Sequence, residues 1–370
     1  MAKPFEIPEL LASILRFVDT DDLPATALIN LAWSVPSQRR LFSEIQLHVE
    51  DGRYQPCRSL LATFERSPHL AQFVQELGVE ELPPDYMKRL GDISFPRLVT
   101  LRARLFVVRD DSDEVVVRTM QTLLRCPLLQ CVTIYCYFQQ REDFLRMWDG
   151  CSDSIRHLAY ASGTRFDFVV EPSDAHTSRQ RRPIKLVSFH SVDSCDRTGS
   201  WLLDPSCPFD VSGLKAFRFD KPLVDPLATI LAPALESLEL FSTGRDDNRR
   251  DLSPYSRLVQ LDMDLSLPID SNFRLIRTIL PENRSKLRVI RFHAFQLYRD
   301  NALKLANKLS SIHHDFPNLR IVQIVVLLPN TQLEKNWKRY FRKLDPGIDL
   351  QWEFRGDERQ PWYTKVHLVT

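Results

Sequence analysis

Ile7-Pro8-Glu9-Leu10-Leu11-Ala12-Ser13-Ile14-Leu15-Arg16-Phe17-Val18 opens a stretch that runs through Asp19-Thr20-Asp21-Asp22-Leu23 to Trp33 and closes at Arg40-Leu41-Phe42. Its reading decides the rest. Pro8 suits a first helical turn, where its missing N–H is not needed. Leu10, Leu11, Ile14, Leu15 and Val18 then fall at helical spacing on one wide apolar face. Thr20, Asp21 and Asp22 fit the N-cap and first turn of a second helix carrying Leu23, Ala27, Leu28, Leu31 and Trp33. Val35-Pro36 predicts a restart, with a third short turn from Ser37 to Phe42. Ile45 and Leu47 alternate with polar residues, as in a strand.

Three short helices make a unit of about 40 residues, too small to bury much core alone. With no Cys inside it, a partner is the natural source of stability. Two faces of the unit look apolar, and one of them either packs on the following chain or waits for another protein.

The rest of the chain is self-similar. A pattern Leu-x-x-Leu-x-Leu, with apolar substitutions, starts weakly at Val74, Leu77 and Val79. It recurs at Leu98 and Leu101 with Ala103, at Leu129, Val132 and Ile134, and at Ile155, Leu158 and Tyr160. Leu186 with Phe189, then Leu214, Phe217 and Phe219 follow. Leu235, Leu238 and Leu240 form the clearest copy. Leu258, Leu261 and Met263, then Leu287, Ile290 and Phe292, then Leu319, Val322 and Ile324 complete the series. Second positions recur about 21 to 32 residues apart, the span of one strand plus one helix or turn. Phe95-Pro96, Cys126-Pro127, Ala232-Pro233 and Phe316-Pro317 precede copies, where proline ends a helix and admits a strand. Helices are predicted between copies, at Glu114 to Arg125, Glu142 to Trp148, Pro226 to Leu231, Asn272 to Leu280 and Arg299 to His313. Neighbouring units must stack to bury their apolar sides. The fold expected is therefore α/β: a small three-helix module over residues 1–50, then a curved strand–helix solenoid over 51–370. An amphipathic helix from Thr331 to Leu344 caps it, and a last strand holds Leu350, Trp352 and Phe354. An ordinary mixed α/β domain is the rival reading.

The 370 residues carry a net charge of +1, so nothing draws the chain as a whole to nucleic acid or an anionic membrane. The 10 glycines against 24 prolines argue against glycine-rich nucleotide-binding loops. Seven cysteines without a Cys-x-x-Cys pair point to reduced thiols in the cytoplasm or nucleus. No secretory leader is evident, and the longest apolar run, Ile324 to Leu328, is far too short for a membrane span. No nucleophile elbow, phosphate loop or zinc-protease motif occurs. The reading is of no enzyme, no cofactor and no metal. Glu171 to Arg182 and Arg245 to Arg250 read as polar loops.

The first stretch resembles the F-box. The residues that carry the likeness are Ile7, Pro8, Glu9, Leu10, Leu11, Ile14, Leu15, Asp19, Leu23, Ala27, Ile29, Trp33, Leu41 and Phe42, and Trp33 to Phe42 looks like the form common in mushroom-type fungi. The following repeats resemble an irregular leucine-rich repeat domain, as found behind many F-boxes. The resemblance implies docking on the Skp adaptor of a cullin–RING ubiquitin ligase through Pro8, Leu10, Leu11, Ile14, Leu15, Leu23 and Ile29. Each of these could equally be internal core. It also implies a protein substrate held by the repeats. Outward strand positions supply the expected target face: Arg102, Arg104, Tyr135, His190, Arg218, Glu239, Asp262, Asp264, Arg291 and His293. Plain solvation of a strand face is the other reading of that row. A repeat scaffold with no ligase role is the alternative function.

Overall fold

The computed structural model describes residues 8–48, 55–105, 113–138, 141–160, 165–166, 183–191, 202, 207–219, 225–240, 251–265, 268–294, 297, 299–312, 314–326, 341 and 348–354. The expected loops at 171–182 and 245–250 lie outside them, as does all of the capping helix except Phe341. The fold is mixed α/β, built on parallel sheet. Two compact units divide the chain: Met1–Ile184 with Ser206–Pro208, and Lys185–Pro205 with Phe209–Thr370. The boundary expected near residue 50 falls inside the first.

The first unit begins with three helices, α1 (Pro8–Leu15), α2 (Leu23–Ala27) and α3 (Leu31–Leu41), with a 3-10 turn at Thr20–Asp22. The second expected helix stops early and the third starts early. Asn30 is the cause. Its backbone is extended, and its side chain accepts from the N–H groups of Ala32 and Trp33 at 2.8 and 3.2 Å, which starts a new helix there. Trp33 and Pro36 therefore belong to α3, and Pro36 sits inside the helix instead of restarting the chain. The Thr26 hydroxyl, which donates to Leu23 O at 2.8 Å, lies 3.0 Å from the buried Ser37 hydroxyl and ties α2 to α3.

Strand and helix then alternate: β1 (Glu44–His48), α4 (Gln55–Arg66), β2 (Glu76–Glu80), α5 (Pro84–Gly91), β3 (Thr100–Arg104), α6 (Asp113–Leu124), β4 (Cys131–Tyr135), α7 (Arg141–Met147) and β5 (His157–Tyr160). The five strands pair in that order, all parallel. The second unit holds β6 (Ser188–Ser191), β7 (Ala216–Phe219), α8 (Asp225–Leu231), β8 (Ser237–Leu240), β9 (Gln260–Asp264), α9 (Ile269–Arg277), α10 (Pro281–Arg284), β10 (Val289–Ala294), α11 (Arg299–Ile312), β11 (Ile321–Val326) and β12 (Asp349–Phe354). The seven strands named here also pair in sequence order, all parallel.

The repeat positions read from the sequence are register partners. Leu77, Leu101, Val132 and Leu158 stand side by side in the first unit. Phe189, Phe217, Leu238, Leu261, Ile290, Val322 and Leu350 do so in the second. All of these except Leu350 are buried, and burying one such side chain contributes about 2 kcal/mol. Three of the four Pro-containing steps are tight turns. Leu98 N–H donates to Phe95 O, Leu129 N–H to Cys126 O and Leu319 N–H to Phe316 O, so Pro96, Pro127 and Pro317 take the second turn position that a fixed φ favours. The first and last residues of each turn are buried.

Within each unit, neighbouring repeats are further joined by the backbone just before their strands. Gln75 O accepts from Val99 and Thr100 N–H, Val99 O from Gln130 and Cys131 N–H, and Val259 O from Arg288 and Val289 N–H. These paired main-chain bonds link one repeat to the next within each unit. Helices α4 and α5 had no forecast in the sequence reading. Among the described residues no helix is long and apolar enough to cross a membrane.

Candidate functional site

Three surfaces bear on function. The first is on α1–α3. Leu11, Leu15 and Leu23 are 1% exposed and form the module's interior, so they are not available to a partner in this conformation. Leu10 and Ile14, one residue round the α1 wheel, are 46% and 39% exposed, and Ile29 is 58% exposed. Phe17, Leu28, Leu31 and Val35 are exposed as well. The Pro8 side chain lies outside the described residues. Of the predicted docking set, the accessible members are thus Leu10, Ile14 and Ile29. The sequence reading did not single out Phe17, Leu28, Leu31 and Val35 as surface residues.

The second surface is the outward face of the first unit's sheet. Arg102 and Arg104 lie on β3 with Tyr135 beside Arg104 on β4. Arg104 pairs with Glu80 at 2.6 Å and Glu81 at 3.2 Å, and its guanidinium lies over the Tyr135 ring, 5.2 Å from the centroid. Arg102 pairs with Glu76 at 3.3 Å. These side chains are partly exposed, so water screens the pairs and each adds little to stability. Gly78 lies between Gln46 and Arg102 in the same row. The Gln46 side chain crosses it so closely that an added Cβ would come within 1.7 Å of its Oε1.

The third surface is the equivalent row of the second unit: His190, Arg218, Glu239, Asp262, Arg291, Gln323 and Gln351 are successive register partners. Asp264 and His293 stand together in a neighbouring row. Strand alternation puts these residues opposite the apolar core, yet Arg218, Asp262 and His293 are buried. They form a network. Arg218 Nη1 is 3.3 Å from Glu239 Oε1, and Arg291 Nη1 is 2.8 Å from Asp262 Oδ2. His293 Nε2 lies 3.6 Å from Glu239 Oε1 and 3.7 Å from Asp262 Oδ2. Gln260 Nε2 donates to Asp262 Oδ1 at 2.9 Å, and Arg291 Nε to Gln323 Oε1 at 2.7 Å. Burial works to raise Asp262, but its contact with His293 and the Arg291 charge outweigh it and hold the carboxyl below the usual range. Glu239 goes the other way, pushed up by burial against the opposing charge of Arg218.

Glu239, Asp262 and His293 bring their donor atoms within 4.8 Å of one another, the spacing of a metal-ligand set. The charge balance opposes a cation. Two guanidiniums already neutralise the two carboxylates, and a divalent ion would add two buried positive charges with nothing to offset them. The arrangement is a buried ion-pair network. Arg218, Asp262 and His293 are buried in it while Glu239 and Arg291 keep 15% and 21% exposure, and Arg102 and Arg104 of the first unit are 37% and 50% exposed.

No family model matches the chain, and no curated protein matches it. A solved protein of Bacteroides fragilis, a Northeast Structural Genomics Consortium target, is similar over 81% of this chain and 82% of its own, at 11% identity and a TM-score of 0.39.

Proposed function

We propose that the chain is a non-catalytic adaptor. In this reading α1–α3 form an F-box-like module that docks on the Skp adaptor of a cullin–RING ubiquitin ligase, and the strand–helix units form an irregular leucine-rich-repeat-like solenoid that holds a protein target. One observation carries it. Seven of the eleven large apolar side chains exposed among the described residues lie between Leu10 and Val35. So much apolar surface on so small a module calls for a covering partner. A cytoplasmic or nuclear setting goes with this reading, in keeping with the free thiols of the six described cysteines.

Co-purification with the Skp adaptor from cells tests it, comparing the wild type with Leu10→Asp plus Ile14→Asp. These positions are exposed, so the variant keeps its interior, unlike one altered at Leu11 or Leu15. The reading expects the wild type to bring down the adaptor and the variant to lose it. A wild type that brings down none, or a variant that binds equally well, overturns it.

A further inference from the structure

The buried network of the second unit does not take part in the adaptor reading, and its own geometry sets up a proton-binding group. Glu239 on β8 is faced by Arg218 from β7, Asp262 from β9, and Arg291 and His293 from β10. With a neutral imidazole the four formal charges cancel, but the hydrogen bonds are shared unevenly. Asp262 receives Gln260 at 2.9 Å and Arg291 at 2.8 Å, short bonds that favour its charged form. Glu239, 15% exposed where Asp262 is 4%, is met only by Arg218 at 3.3 Å and by His293 at 3.6 Å, looser contacts than those of Asp262. Of two carboxylates held in one dry cluster, the one less well bonded takes the proton first. We infer that Glu239 is the proton-binding group of this cluster and makes it a pH-sensitive element of the second unit's sheet.

The direction of each carboxyl fixes the sign of the effect. Glu239, raised above its ordinary 4.5 by burial, contributes stability that is fully present below its unfolded value and is lost as pH rises through the folded one. Its charge is therefore a cost at neutral pH. Asp262, held below its ordinary 3.8, contributes stability that is present above that value and lost only as pH falls through its folded value. The two acids of one cluster pull in opposite directions, which a merely structural ion pair would not do.

Thermal unfolding of the full chain from about pH 4 to about pH 8 tests this, with the wild type, Glu239→Gln and Asp262→Asn. Glu239→Gln should raise Tm at neutral pH by about 2–4 °C and flatten the fall in Tm that the wild type shows as pH rises above mildly acidic values. Asp262→Asn should lower Tm at neutral pH. A Glu239→Gln protein that melts lower at neutral pH, or keeps the wild-type slope, overturns the inference. Arg218→Met gives a second readout should that variant not fold. Removing the cation that faces Glu239 should move the falling limb of the wild-type profile to higher pH, and an unmoved limb overturns the inference too.

Discussion

Arg291 and Asp262 occupy one register row on neighbouring parallel strands, and Arg291 Nη1 donates to Asp262 Oδ2 at 2.8 Å. The same guanidinium donates through Nε to Gln323, whose amide donates in turn to Glu353 at 3.0 Å. One arginine thus links four successive strands across a face that strand alternation alone would have left to water.

Cutting that link should be expensive. Asp262→Ala removes the carboxylate bonded to the Arg291 guanidinium in a site where the acid is nearly inaccessible, and breaking a buried pair costs about 3–5 kcal/mol. Arg291→Met exposes the converse fault, an acid without its cation. The double variant Asp262→Ala with Arg291→Met should cost less than the two single losses added together, because neither charge is stranded. Urea unfolding of the four proteins measures the cycle. Strict additivity would show that the contact contributes no coupling.

Cys126 closes a helix and opens a proline turn, and burial pushes its thiol up to about 11. Only about one part in a thousand is then thiolate at pH 8, and the thiolate is the species that reacts. Native protein treated with iodoacetamide should leave Cys126 unmodified while the urea-unfolded chain is labelled, as peptide mapping would read out. Equal labelling rates in the two states would contradict the packed position.

The parts of this fold that were legible are those written in short-range chemistry. Leu238 and Leu261 declared themselves as register partners because a strand repeats every second residue and a repeat unit restores the same inward position. Pro96, Pro127 and Pro317 announced their turns because a fixed φ leaves them few places to sit. The rest depends on what lies over a surface. Leu10 and Ile14, or Leu11 and Leu15, are equivalent in type, and each pair is four apart. Spacing therefore cannot say which pair faces inward; the packing of α3 against α1 decides it. Glu239, Asp262 and His293 read as outward strand positions, which they are. That Arg218, Asp262 and His293 in this outward row are buried follows from their packing on one another, which alternation does not encode. The helix start at Asn30 was present in the sequence as a strong N-cap residue, but the apolar run through Leu31 and Trp33 masked it.

That cap should be measurable. The Asn30 side chain satisfies two main-chain donors at the start of α3. Asn30→Ala should cost about 1 kcal/mol, whereas Asn30→Asp should cost less, since a carboxylate caps as well and favours the helix N-terminus. Thermal unfolding of the two variants gives the comparison. An alanine variant as stable as the wild type would mean that water satisfies the same donors at no cost.

The last comparison separates core from docking on a single helix. Leu15 is 1% exposed and Ile14 is 39% exposed, one residue apart on α1. Leu15→Ala removes buried methyl groups and leaves a cavity, at about 2–5 kcal/mol. Ile14→Ala removes a half-wet side chain and should change stability by only about 0.5–1 kcal/mol. Binding should reverse that order. If the Skp adaptor covers the exposed stripe, Ile14→Ala weakens the complex while the free protein unfolds almost as the wild type does. Leu15→Ala lowers the denaturation midpoint, and its affinity falls only by the fraction of molecules unfolded. Denaturation curves and titration of the purified partner on the same two variants decide it. A loss of stability at Ile14 as large as that at Leu15 would mean that Ile14 serves the interior, and the accessible stripe on which the docking reading rests would lose its central residue.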